Sequence, residues 1–378
     1  MITVLQLVHK YRGNYELFNL QADLDRQRFR MLICYLADAP DGCNRMEDVA
    51  DKVFYLQRRP ETLRWYNLPL IFTLKKIIDD EHVQVVNCQQ HRTTPLGILA
   101  GLFSKTRPAL ISTLHGLGMA RTWQRRLSNW LLYRYLYRIV GISSEVSRDI
   151  VATNWGLGQD KVVTIQNGLD YTPYLNDFNQ YGLKEMILPG RQKYFWFGTA
   201  GRLSKVKNQA TLIEAFALLA SRLPDCILVI AGQGELELSL KEKALSLGLD
   251  ERIYFLGFRK DMPQFLQALD VFVLPSWREG FGLALVEAMA SARPIIAAQV
   301  GGIPEVVGSG AFGRMVDPHD VEGLAAAMVE FAELPASTRH ELGRQARHRV
   351  VQEFSAERMV ACYEALYVGA YKAWSLRS

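Results

Sequence analysis

Short apolar runs alternate with longer stretches of helical periodicity from one end of the chain to the other. In the first half the runs are Ile2–Val8, Arg28–Leu36, Val53–Leu56, Val83–Gln89, Ala109–His115, Ile139–Ser143 and Val162–Gln166. Helical spacing fills most of the gaps, in Leu68–Asp79, Pro95–Phe103, Trp123–Tyr137 and Ser144–Asn154. A strand apolar on both faces has to be covered on both faces, which predicts parallel sheets flanked by helices. Residues 171–193 interrupt the pattern with Pro173, Gly182, Pro189, Gly190 and several amides, and are expected as a linker. The alternation then restarts: strand Tyr194–Thr199, helix Gln209–Arg222, strand Cys226–Ala231, helix Leu236–Leu247 and strand Ile253–Leu256. Helix Met262–Leu269, strand Val271–Leu274, helix Leu283–Ser291 and strand Pro294–Ala298 follow, with helical segments to the end. The expectation is an α/β chain of two doubly wound Rossmann-like domains facing a cleft. They cover 1–170 and 194–355, and a last helix at 356–378 can cross back to the first. Sheets of this kind bind ligands at the carboxyl ends of their strands.

With 378 residues, 49% hydrophobic and 22% charged, the chain has material for two cores and none of the bias of a disordered or disulfide-stapled protein. Its five cysteines lie far apart without a Cys-x-x-Cys pair, and its seven histidines are scattered, so no structural metal or cofactor is expected. Asp23-Leu24-Asp25 precedes the second strand and reads as solvated surface. No apolar run nears the ~18 residues of a membrane span, and Ile2–Val8 follows Met1 without a basic leader. A cytoplasmic location is expected.

The total charge of +5 is unevenly spread. Between Glu81 and Glu145 there is no acid but eight cations, Arg92, Lys105, Arg107, Arg121, Arg125, Arg126, Arg134 and Arg138, so the rest of the chain is net −3. Such a field points to an anionic partner: membrane headgroups, a phosphorylated substrate or nucleic acid. No recognised nucleic-acid motif accompanies it, and nucleic acid is not expected as a partner.

The second half carries the candidate chemistry. In Thr199–Asn208 a strand passes through Gly201 to a helix, with Arg202 and Lys207 in the loop. Two cations beside a helix start suit a diphosphate; a solvated basic loop is the plainer reading. Ala231-Gly-Gln-Gly-Glu235 is a weak signal by itself, because tight strand-to-helix turns use glycine anyway. In Asp270–Ala290 a buried strand leads through a glycine-bearing loop to a helix starting near Gly282. The N–H groups of Phe281, Gly282 and Leu283 would lack intrahelical partners there and could hold an anion. Glu279 before that helix and Glu287 within it could accept hydrogen bonds from sugar hydroxyls; alternatively they are a dipole partner and an exposed helix residue.

Taken as a set, these segments carry a resemblance. Gly201-Arg-Leu-x-x-x-Lys207, Ala231-Gly-x-Gly234, Leu256-Gly-Phe-Arg259, Glu279-Gly-Phe-Gly282 with a second Glu at 287, and Gly301-Gly-Ile-Pro-Glu-Val-Val307 resemble the retaining glycosyltransferases of family 4. In the first half Thr113-Leu-His115-Gly and Ile165–Asp170 match more thinly, with Gln166 where the family often has Pro. The resemblance implies the GT-B fold and a nucleotide-sugar donor, most often a UDP-sugar, used without metal. Arg202 and Lys207 would neutralise the leaving diphosphate, and Glu287 would hold the ribose. Glu279, with backbone from Gly280 through Phe281 and Gly282 to Leu283, would orient the sugar. Phe258 and Arg259 would flank the base, and His115 would approach the sugar near the reacting carbon. The family's paired glycines after the first strand are reduced to Gly13 with Asn14 beside it.

The acceptor is read from Arg121–Arg138, which mixes five arginines with two tryptophans and three tyrosines. Interfacial helices have such a composition, although at 100° per residue the arginines do not share one face and part of the stretch is expected in the core. Arg121, Arg125 and Arg126 are assigned to an anionic, lipid-linked saccharide such as a lipopolysaccharide core, or to the inner face of the membrane bearing it. Two rivals remain: a nucleotide-sugar 2-epimerase on the same fold and a non-catalytic anion-binding protein.

Overall fold

The computed structural model describes residues 1–10, 23–37, 39–40, 46–59, 63, 66–176, 178–308 and 312–376. The Gly13–Asn14 loop lies outside them. The chain divides into two compact units: Met1–Gly168 with Ala356–Ser378, and Leu169–Ser355. The C-terminal helix Ala356–Ser375 therefore belongs with the first unit, where Met359, Tyr363 and Tyr367 join the apolar cluster built on Val4, Met31 and Ile33.

The first unit holds seven strands: β1 (Ile2–Val8), β2 (Phe29–Tyr35), β3 (Lys52–Tyr55), β4 (Val85–Gln89), β5 (Ala109–Leu114), β6 (Arg138–Gly141) and β7 (Val162–Thr164). All pair in parallel in the order β3-β2-β1-β4-β5-β6-β7. The order reverses between β1 and β4, the position at which a doubly wound sheet opens a crevice beyond its strand ends.

The second unit repeats the design with β8 (Phe195–Ala200), β9 (Cys226–Ala231), β10 (Ile253–Gly257), β11 (Val271–Leu274), β12 (Ile295–Ala298) and β13 (Gly313–Val316), in the parallel order β10-β9-β8-β11-β12-β13. Its switch point falls between β8 and β11. The helix Gln209–Ala220 covers one face with Leu212, Ile213, Phe216 and Leu219, all at most 1% exposed. At about 1.5–3 kcal/mol for each such side chain, this face alone fixes the helix on the sheet.

Two expectations are corrected. Residues 171–193 are packed structure of the second unit. The helix Gln180–Ile187 seats Lys184 on Asp270 at 2.5 Å, and Gln180 Nε2 donates to the Leu269 carbonyl at 2.8 Å. Polar side chains there satisfy buried groups of the sheet, so their polarity does not signal solvent. The helix expected over Trp123–Tyr137 ends at Leu132, and none of its residues is buried; the chain reaches the interior only at Tyr133 and Leu136.

Candidate functional site

The loops that leave the strand ends of the second unit are tied together before any ligand is considered. Asn208 ends the turn Lys205–Lys207 in the left-handed conformation (φ 55°), which an amide side chain tolerates. Its Nδ2 donates to the carbonyls of Pro275 and Pro318 at 3.0 and 3.2 Å, and the Trp277 N–H donates to Val206 O at 2.9 Å. The loop after β8 is thereby pinned to the loop after β11, across the switch point. Gly232 completes the approach: a Cβ there would sit 1.9 Å from the Gly201 carbonyl oxygen.

Lys207 and Glu279 meet in this clamp. Lys207 Nζ donates to Glu279 Oε1 at 2.6 Å, and Ser276 Oγ donates to the same oxygen at 2.7 Å. Glu279 is 8% exposed, whereas the Lys207 side chain keeps 27% of its surface. An ammonium has three donors, so the contact to Glu279 leaves Lys207 able to meet an anion. Arg202 is exposed, and no ion pair to it is found among the described residues.

The helix Leu283–Ala290 starts behind Gly282, whose φ of 89° is a glycine conformation and which offers no side chain to cap the turn. Among the described residues no acceptor is found for the N–H groups of Phe281, Gly282 and Leu283. With the aligned peptide dipoles behind them, these donors make the helix start electropositive beside the Lys207–Glu279 pair. Further along the helix Glu287 Oε1 accepts from Tyr174 Oη at 3.0 Å. After β10, Phe258 is 54% exposed, and Arg259 is held by Asp261, Nε to Oδ1 at 3.0 Å.

In the first unit His115 follows β5. Its Nε2 lies 2.8 Å from Gln89 Oε1, and burial holds the ring's pKa down to about 4, so it is neutral at pH 7. Arg125 and Arg126 fold back onto Met119 O (3.3 Å) and Ala120 O (3.0 Å), and Arg121 is exposed. The expected residues thus fall into separate groups: Lys207, Glu279 and the helix start together; Glu287 with Tyr174; Arg259 with Asp261; His115 with Gln89. Sequence reasoning missed Ser276, Tyr174 and Gln89. Ser276 sits three residues before Glu279 and could have been noticed; Tyr174 was hidden in the stretch read as a linker.

Known proteins define the class. Residues 187–349 match the family model of the glycosyl transferases group 1, and residues 17–172 that of glycosyltransferase family 4. The chain belongs to the family 4 glycosyltransferases, with the two-Rossmann GT-B fold. It is 28% identical to the UDP-Gal:alpha-D-GlcNAc-diphosphoundecaprenol alpha-1,3-galactosyltransferase of Escherichia coli, over 79% of this chain and 78% of that one. It is also 28% identical to the lipopolysaccharide core biosynthesis mannosyltransferase LpsB of Rhizobium meliloti (strain 1021), over 64% and 70% of the two chains. The crystal structure of Anabaena Alr3699/HepE in complex with UDP and glucose superposes with a TM-score of 0.84 at 22% identity, covering 98% of this chain and 100% of that one. Neither the epimerase nor the non-catalytic reading is favoured by these matches.

Proposed function

We propose that the enzyme moves a sugar, with retention and without a metal, from a nucleotide diphosphate sugar to a hydroxyl of an anionic, lipid-linked saccharide. The observation that carries the reading is the Lys207–Glu279 pair beside the uncapped start of Leu283–Ala290, at the switch point of the second sheet. Negative charge grows on the diphosphate as its bond to the anomeric carbon breaks, and Lys207 with Arg202 meets that charge. The acceptor oxygen bonds to the same face of the carbon, and its proton passes to a phosphate oxygen of the leaving group. Glu279 and the backbone of residues 280–283 orient the sugar, Glu287 takes the ribose hydroxyls, Phe258 and Arg259 flank the base, and His115 faces the sugar. UDP is the favoured nucleotide, since the Escherichia coli relative is named for UDP-Gal and the Anabaena protein was crystallised with UDP.

The acceptor side rests on the helix Trp123–Leu132. Trp123 is 63% and Trp130 48% exposed, with Leu127 and Leu131 also exposed and cations alongside. Among the described residues no helix is long and apolar enough to cross a membrane. An amphipathic surface helix of this kind seats in an anionic headgroup layer, each basic residue adding about 1 kcal/mol at low salt. A lipopolysaccharide core with its phosphates fits that chemistry, and with it a cytoplasmic enzyme peripheral to the inner membrane face.

Binding of UDP-, GDP- and ADP-sugars to the purified chain tests the donor. UDP-sugars are expected to bind and turn over in excess chelator, and activity that returns only with Mg²⁺ or Mn²⁺ would refute the metal-free reading. Flotation should show binding to anionic vesicles, weakened by salt and by Arg125→Glu with Arg126→Glu. Equal binding to neutral vesicles would remove the membrane from the proposal.

A further inference from the structure

Four polar side chains of the first unit form a row across the middle of its sheet. His115 Nε2 lies 2.8 Å from Gln89 Oε1, Gln89 Nε2 donates to Gln6 Oε1 at 2.8 Å, and Gln6 Nε2 donates to Tyr367 Oη at 2.7 Å. The row starts at the end of β5, crosses the neighbouring strands β4 and β1, and finishes on the C-terminal helix. Asn87 Nδ2 also donates to Tyr367 Oη at 3.0 Å, and Thr113 Oγ1 donates to Asn87 Oδ1 at 3.0 Å. Gln6, Gln89 and Tyr367 are 2%, 0% and 0% exposed. Apolar residues would fill these positions without the desolvation that buried amides suffer, so packing does not account for the row.

A carboxamide nitrogen only donates and its oxygen only accepts. The two glutamines must therefore point the same way, because turning one over would set two oxygens or two NH₂ groups face to face. With Gln6 Nε2 donating to Tyr367 Oη, both amides run in one direction and Gln89 turns its Oε1 to the ring, where a neutral imidazole meets it with its one N–H. We propose that Tyr367, Gln6 and Gln89 are positioning residues that fix the tautomer of His115, keeping the proton on Nε2 and the lone pair on Nδ1. The C-terminal helix thereby sets the chemistry of a histidine 252 positions away in sequence. The functional weight of this rests on the reading of His115 as sugar-facing: Nδ1 can then accept from a hydroxyl but not donate to one.

Long-range ¹H–¹⁵N NMR on the histidine-labelled full chain at pH 7 reads which nitrogen carries the proton, with His115→Asn assigning the signal. The wild-type ring is expected as Nε2–H. Tyr367→Phe removes the terminal hydroxyl and keeps the ring in the core; Gln89→Leu removes the contact itself. In both, the tautomer should become mixed or reverse. kcat should fall about ten- to a hundredfold, as when outer partners of metal-ligating histidines are removed, with donor KM little changed. A wild-type Nδ1–H ring, or an Nε2–H ring unaltered in both variants, overturns the proposal. The tautomer is read without turnover, so failure of the sugar-facing reading is a separate result, seen as full activity in His115→Asn.

Discussion

At the strand ends of the second unit the candidate groups are charged: Lys207 on the buried Glu279, Arg202 exposed, and an uncapped helix start just after Glu279. At the strand ends of the first unit the corresponding group is a neutral imidazole mounted on amides that never meet water. The two units share a topology, so the difference lies in the side chains that their strand ends carry. Arg202, exposed and without an ion pair among the described residues, can meet an incoming phosphate at little cost, and Lys207 can do so with the donors that its contact to the buried Glu279 leaves over. A neutral group in a hydrogen-bonded row cannot, and what it gains is a fixed orientation. On the proposed function, one unit would recognise charge and the other would hold geometry.

The sharpest way to break this comparison is to remove charge from the second unit. Lys207→Ala and Arg202→Ala should each lower turnover by ~10²–10³, the scale for one preorganised electrostatic group, and weaken donor binding. Asn208→Ala is the control: it loses the two hydrogen bonds that clamp the loops and the one accepted from Thr211 Oγ1, and leaves every charge in place. It should lose about 1–3 kcal/mol of stability and a smaller share of turnover. If Asn208→Ala matches Lys207→Ala in kcat, loop placement rather than charge is what the site supplies.

The same contrast decides what could be read before the structure. Charged residues in glycine loops after apolar runs are visible in sequence, so Arg202, Lys207 and Glu279 stand out as candidates, with Glu287 in the helix that follows, and nearly every strand was legible with them. Strand β13 (Gly313–Val316) was missed, because Gly-Arg-Met-Val is short and carries a charge. Gln6 is a single amide inside an apolar strand, and Asn87 with Gln89 make one step of alternation in another, too little for a periodic signal. Their meaning depends on strand order, which places β1 beside β4 although 76 residues separate the two strands. The helix Trp123–Leu132 was half understood: its composition was legible, whereas the lack of any buried residue in it depends on what fails to pack against it.

A smaller effect is expected from pH, and it should fall on the first unit. His115 and His91 are both held at about 4, His115 by burial and His91 by burial, then by Arg125, Arg92 and His9. In the unfolded chain each would titrate near ~6.5, so between those values the unfolded state binds more protons. The resulting stability is complete above pH 6.5 and is lost as the pH falls toward 4. For His115 the slope is at most about 1.4 kcal/mol per pH unit. Urea unfolding at pH 7 and pH 5 should show wild type losing more stability than His115→Asn, and equal losses would mean that the ring is not held neutral in the folded chain.

The mildest prediction places a positioning residue in the second unit against those of the first. Tyr174 Oη donates to Glu287 Oε1 at 3.0 Å, so Tyr174→Phe leaves the carboxylate less well oriented but still present. If Glu287 holds the ribose equally in ground and transition states, losing one hydrogen bond of about 1 kcal/mol should raise donor KM roughly fivefold and leave kcat unchanged. Glu287→Ala should raise KM further, and adding Tyr174→Phe to it should change nothing, because a residue that acts only through Glu287 has no effect once Glu287 is gone. In the first unit the equivalent change, Tyr367→Phe, is expected in kcat. The two tyrosines thus test the division of tasks directly. A kcat loss in Tyr174→Phe, or a further KM change in the double variant, would place Tyr174 at the reacting sugar and dissolve the distinction between a unit that binds and a unit that orients.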